Sequence, residues 1–186
     1  TIVLQPADAV STVKLVPQMI ASKGFYYMRT LRAKTPVVYD PTEDFQVGGS
    51  KIVRQSGNDQ LTVAATGITL FEAIKAAEEL KKEGINIRVV DCYSINPIDR
   101  NTLRKCLQET KRKIVITVED HFAHGGMGDF AVSALANDNG RVIKMAVTKI
   151  SQSGTMDELL DDAGISAAHI VAMAKEMIGE MAVNVG

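Results

Sequence analysis

The stretch from Lys113 to Phe130, KIVITVEDHFAHGGMGDF, constrains this chain more than any other. Ile114, Ile116 and Val118 alternate with Val115 and Thr117, so both faces of the segment are apolar or nearly so. A strand of that kind belongs inside a parallel sheet covered on both sides. Glu119, Asp120 and His121 come where the strand would end, and open α/β sheets gather ligands outside the carboxyl ends of their strands. Gly125, Gly126 and Gly128 follow, residues that let a chain turn sharply and pack closely as a helix begins. Sheet centre, site edge and helix entry are all expected here.

Upstream, Thr1 to Gln5 is a short apolar segment and Pro6-Ala7-Asp8 a turn. Ser11-Thr12 offers an N-cap for a helix running to about Ser22, with Pro17 awkward inside it. Gly24 closes that helix and Phe25 to Met28 reads as a strand, with the cations Arg29, Arg32 and Lys34 in the loop at its end. Pro36 to Asp44, with two prolines and three acids, reads as a linker. A boundary near Pro41 would divide the chain into residues 1–40 and 41–186.

Beyond it, Lys51 to Arg54 and Leu61 to Thr66 are strands, and the turn residues Ser56-Gly57-Asn58-Asp59 between them suit a hairpin. Thr69 and Glu72 spell a capping box for a helix ending at Gly84, with Leu70, Ala73, Ile74, Ala77 and Leu80 inward and Glu72 among the water-facing residues. Ile87 to Asp91 is the next strand, Ser94 to Pro97 a loop, and Asp99 caps a helix through Glu109. After the central strand come a helix over Met127 to Ala136 and a strand over Val142 to Val147. Thr155 and Glu158 repeat the capping box, and the last helix starts at Ser166 with an inward stripe of Ile170, Met173, Ala174, Met177, Ile178 and Met181. The fold class is α/β: a three-layer α/β/α domain whose mixed sheet is mostly parallel and carries one antiparallel edge strand.

A chain of 186 residues can bury about 70% of its unfolded surface, enough for a full core without staples. A net charge of -1 gives no reason to expect nucleic acid or an anionic membrane as partner. No apolar run approaches the ~18 residues of a membrane span, and the two cysteines, Cys92 and Cys106, read as a reduced cytoplasmic pair. A start at Thr1, without an initiator Met, suggests a piece of something longer.

The chemistry-bearing motifs are individually weak. Gly125-Gly126-Met127-Gly128 does not spell the dinucleotide fingerprint. Glu119, Asp120, His121 and His124 lie in one short segment, but residues at a strand's end share no helix face, no cysteine or third His lies near, and a metal site is not assigned. Glu119 and Asp120 as a general acid/base pair would need a third, orienting group. The loop of Arg29, Arg32 and Lys34 is the best anion site, because Arg presents a planar fork to phosphate; a solvated loop is its ordinary reading.

Taken in order, Phe25 to Arg32, Glu43-Asp44-Phe45-Gln46-Val47-Gly48, Gln60 to Val63 leading to Thr66-Gly67, and Ala76 to Lys82 form a pattern. Asn86 to Asp91, Ile95 to Asp99, Thr117-Val118-Glu119-Asp120-His121 with its Gly-Gly-x-Gly, Ser151-Gln152-Ser153-Gly154 and Glu158-Leu159-Leu160 continue it. The whole chain resembles the carboxyl-terminal end of transketolases, most nearly their animal-type branch. The resemblance implies that residues 1–40 are the end of a pyrimidine-binding domain and residues 41–186 the transketolase C-terminal domain. It implies a parent enzyme, a homodimer, that transfers a two-carbon ketol unit between sugar phosphates with thiamine diphosphate and Mg²⁺ or Ca²⁺. Arg32 matches the family's phosphate-gripping Arg, with Leu31 where relatives often have Ser; Arg29, Glu119 and His121 are candidate supporting residues. The family's Gly-Asp-Gly…Asn metal motif and its activating Glu are absent. The chain alone is therefore expected to hold no catalytic, metal or cofactor residue and to be inactive. Two alternatives stand beside this: the partner-docking C-terminal domain of a 2-oxo acid dehydrogenase β chain, and the second subunit of a split transketolase.

Overall fold

Two sheets share one body in the computed structural model, which describes residues 1–32 and 34–183, with side chains through residue 179. The smaller sheet has three strands in the order β2-β1-β6, and the larger has five in the order β3-β5-β4-β7-β8. In the first, β1 (Ile2–Leu4) runs parallel to β2 (Tyr26–Met28) across the helix α1 (Ala9–Ala21), and antiparallel to β6 (Ser94–Asn96). In the second, β4 (Thr62–Ala65), β5 (Arg88–Asp91), β7 (Ile114–Phe122) and β8 (Arg141–Val147) are parallel, and β3 (Lys51–Arg54) is the one antiparallel edge.

The alternation in β7 explains the layering. Ile114, Ile116 and Val118 face α2 (Thr69–Lys82) and α6 (Ala167–Val183), in a core that includes Leu70, Leu80 and Ile170. Val115 faces α3 (Arg100–Glu109) and α4 (Met127–Leu135), among Leu103, Leu107 and Ala131. Residues Ile114 to Glu119 are all buried, and each Val or Ile taken from water contributes about 1.5–3 kcal/mol. The short α5 (Met156–Asp162) carries the expected Thr155/Glu158 capping box, and Asp99 caps α3 by accepting the Thr102 amide at 3.0 Å. In α6, Ile170, Ala174 and Met177 are buried as expected; Met181 lies outside the described side chains.

Several local expectations give way, most of them to longer-range bonds. The cap of α1 is Asp8, three residues before Ser11: its Oδ1 accepts the Ser11 amide at 2.8 Å, and its Oδ2 accepts those of Val38 and Tyr39 at 2.9 and 3.2 Å. One carboxylate thus satisfies a helix end and a passing loop together. No hairpin joins β3 to β4, because β5 lies between them. The turn itself forms, with the Ser56 amide and hydroxyl donating to the Asp59 carboxylate, and buried Asp59 also pairs with Arg88 of β5 at 3.2 Å, while Arg88 reaches Glu109 at 2.6 Å. Thr69 and Glu72 form no capping box at α2. The Thr69 Oγ1 lies 2.6 Å from the Val118 carbonyl oxygen, and Glu72, buried rather than water-facing, accepts the Ala167 amide at 2.9 Å and so caps α6. Ser94 to Asn96, expected as loop, becomes β6 because β1 offers it a partner.

Tyr39 donates to Asp91 Oδ2 at 2.6 Å in a wholly buried pair, while Asp91 Oδ1 has no partner among the described residues. Burial pushes the Asp91 carboxyl up to about 7, the Tyr39 bond opposes the rise, and the charge of Asp8 adds to it. A carboxyl whose folded value exceeds its unfolded value of about 3.9 contributes stability that is present below that pH and lost as pH climbs toward 7. Asp91→Asn is therefore expected to flatten the fall in stability between about pH 4 and about pH 7. Thermal melts across that range should show the variant gaining several degrees on the native chain by pH 8 and none at pH 4. An unchanged difference between them at both ends would mean that Asp91 does not titrate there.

Candidate functional site

At the carboxyl end of β7 the strand alternation sends two adjacent carboxylates in opposite directions. Glu119 continues the Val115–Thr117 face toward α4. Its Oε2 accepts the Met127 amide at 2.6 Å and its Oε1 the Gly128 amide at 2.8 Å. Gly126, the N-cap of α4, has no side chain to serve there, so a carboxylate from the sheet takes the anion position at the positive end of the helix. Burial pushes the Glu119 carboxyl upward, against the two amides that pull it down. With both oxygens engaged and 2% exposure, Glu119 is a structural cap rather than a free acid or base.

Asp120 turns the other way. Arg29 Nη1 and Nη2 donate to its Oδ1 and Oδ2 at 3.0 and 2.8 Å, and Gln5 Nε2 donates to Oδ1 at 2.8 Å. This pair ties the end of β2 to the end of β7. The His121 ring is exposed, with Nδ1 2.8 Å from the Phe122 carbonyl oxygen. The glycine loop after it is braced by Lys144, whose Nζ donates to the Ala123 carbonyl at 2.8 Å and pairs with Asp129 at 2.6 Å. Asp129 in turn accepts the amide of Gly125, whose φ of 75° is glycine's to adopt.

Arg29, Glu119 and His121 line one cavity of about 380 Å³, where the ends of β1, β2 and β6 face the end of β7. Arg32 does not line it. It stands at a second cavity of about 530 Å³, walled by apolar residues such as Leu31, Ile68, Met156 and Leu160; Asp120 and Val147 border both. Arg32 is exposed, and no ion pair or hydrogen bond holds its guanidinium among the described residues. Lys34 is also exposed. Among the described residues no three His, Cys, Asp or Glu side chains are placed to hold a metal ion. The sequence reading missed the opposite orientation of Glu119 and Asp120, which strand period alone could have given, and missed Gln5 and Lys144, for which the sequence holds no signal.

The family described as "Transketolase, C-terminal domain" matches residues 48–170. The chain belongs to the transketolase family. Over 177 residues it is 44% identical to transketolase-like protein 2 of Mus musculus and 42% identical to transketolase of Homo sapiens, each time covering 95% of this chain. The chain spans 28% of the length of both of these transketolase relatives. Among solved structures it resembles "Split gene transketolase, inactive beta4 tetramer", with a TM-score of 0.85 at 31% identity, covering 96% of this chain and 57% of that one. The transketolase of Campylobacter jejuni superposes with a TM-score of 0.70 at 19% identity, over 94% of this chain and 26% of its own, a likeness of fold alone. The three-layer α/β architecture is thus that of transketolase C-terminal domains.

Proposed function

We propose that this chain is the C-terminal part of a transketolase. In this reading the whole protein is a homodimer that moves a two-carbon ketol unit between sugar phosphates, and Arg32 grips the substrate phosphate. What carries the reading is likeness to transketolases over 95% of the chain. Residues 1–40, built around β1-α1-β2, are read as the end of the pyrimidine-binding domain, and residues 41–186 as the transketolase C-terminal domain. An exposed guanidinium with no protein partner among the described residues suits a phosphate grip, since it has no bond to give up.

Thiamine diphosphate and its divalent cation, Mg²⁺ or Ca²⁺, do not fit this chain by itself. The amides at the start of α4, the helix N-terminus beside the cavity, are already taken by Glu119, so a diphosphate finds no donors there. The rest of the protein would supply that site. A cytoplasmic location accords with Cys92 and Cys106, both buried and free, and no described helix is long and apolar enough to cross a membrane. A second reading, the separate subunit of a split transketolase, is favoured by the TM-score of 0.85 to a split-gene relative. The sequence encoded upstream of Thr1 separates the two.

The test is reconstitution. The chain alone, with thiamine diphosphate and Mg²⁺, should transfer no ketol unit to ribose 5-phosphate and should show no micromolar heat of cofactor binding. Joined to, or mixed with, the upstream two-thirds of a transketolase, it should restore transfer. Activity of the chain alone, or none after joining a folded partner, would overturn the assignment.

A further inference from the structure

We infer that Asp120 is a positioning residue, a latch that fixes the Arg29–Arg32 loop, and so the Arg32 guanidinium, against the end of β7; this rests on the reading of Arg32 as the phosphate grip. Asp120 collects side chains from two other segments. Arg29 meets it as a two-pronged fork and also donates to its backbone carbonyl at 3.1 Å, so rotation of either side chain breaks more than one bond. Gln5 fixes the remaining freedom of Oδ1 at 2.8 Å. Gln5 is itself clamped: its amide donates to the Tyr93 carbonyl at 2.8 Å, and its side chain lies so close to Gly67 that a Cβ there would sit 2.5 Å from Nε2.

The position along the chain gives the latch its consequence. The Arg29 amide donates to the Leu4 carbonyl at 2.9 Å, the last backbone bond of β2 and its loop before Arg32 among the described residues. Beyond it Leu31 leans on the core around α2, and Arg32 projects into solvent. Three residues is a reach of about 10 Å at most, so wherever the Asp120 carboxylate holds Arg29, it limits where Arg32 can be. Asp120 also borders the Arg32 cavity directly. The side chains of Arg29 and Asp120 are 36% and 18% exposed, so bulk water screens the pair only in part.

Two measurements separate the latch from the grip. In this chain, trypsin is offered the bond after Arg29, which it can cut only if that guanidinium leaves Asp120 for the protease pocket. Asp120→Ala should speed cleavage there at least tenfold with other sites unchanged, and Asp120→Asn should do so less. Arg29→Gln, which breaks the link from the other side and spares β7, should likewise speed cleavage after Arg32. Unchanged cleavage in all three overturns the latch. In the whole protein, Asp120→Ala should raise KM for ribose 5-phosphate about 3- to 10-fold, leave kcat within twofold, spare free ribose, and add nothing to an Arg32→Ala variant. Equal losses for both sugars, or additivity with Arg32→Ala, overturn the positioning role. Faster cleavage beside a kinetically silent Arg32→Ala sinks the phosphate grip, and the positioning role with it, while the latch stands.

Discussion

Arg32→Ala in the whole protein is expected to raise KM for ribose 5-phosphate by roughly 10- to 100-fold, with little change in kcat. A guanidinium on a phosphate makes charge-assisted bonds worth roughly 1.5–3 kcal/mol on removal. At about 1.4 kcal/mol per decade that is one to two orders of magnitude in affinity. A phosphate remote from the reacting carbons is held equally before and during the chemistry, so its loss falls on KM. Free ribose has no phosphate to release and should be nearly indifferent. Arg29→Ala should cost less, because Arg29 already spends both prongs of its fork on Asp120. Steady-state kinetics with the two sugars decides it: equal losses would mean that Arg32 shapes the loop rather than gripping substrate.

The second large effect is on stability. Gly126→Ala should lower stability by about 3 kcal/mol. The Gly126 backbone, with φ of -92°, suits any residue, so the cost is one of space. A Cβ there would lie 2.7 Å from Glu119 Cδ and 2.8 Å from Oε1, and would press harder still on Oε2. Glu119 cannot step aside without surrendering the Met127 and Gly128 amides and leaving a buried carboxylate unpaired. Overpacking costs about 1–3 kcal/mol and each bond to a charged group about 1.5–3. For a chain of this size the melting temperature should fall by about 6–12 °C. Gly125→Ala meets no atom within 4 Å and bears only the strain of its positive φ, about 1–3 kcal/mol, so it should cost less. In a Glu119→Ala background the Gly126→Ala penalty should largely vanish. A penalty that persists there would place the clash elsewhere.

The layers were legible because they follow from alternation that any reader of residues 114–118 can see: two apolar faces require helices on both sides of the sheet. Asp99 and the Thr155/Glu158 pair were legible for a related reason. Their partners are three residues away along the chain, and a cap of that range is written in the sequence beside it. The family resemblance likewise lay in ordered segments of the chain, and the match over residues 48–170 belongs to the same stretch.

The candidate site was legible only as a place, the charged end of β7, and not as an arrangement. Nothing near Glu119 in sequence says that it will serve the amides at the start of α4, eight and nine residues on. Glu72 looked like half of a local cap and serves α6, 95 residues away. Asp59 looked like a turn residue and is one, but it also serves Arg88, which belongs to the strand that enters between β3 and β4. Arg29 looked like one cation among three until Asp120, 91 residues distant, took both prongs of its fork. Sequence alone determined where apolar faces, helix ends and charges fall, because those depend on spacings of two to four residues. Tertiary structure alone decided which carboxylate answers which donor. A buried polar group must find a partner once water is gone, and the partner is whichever group the packed layers bring within about 3 Å.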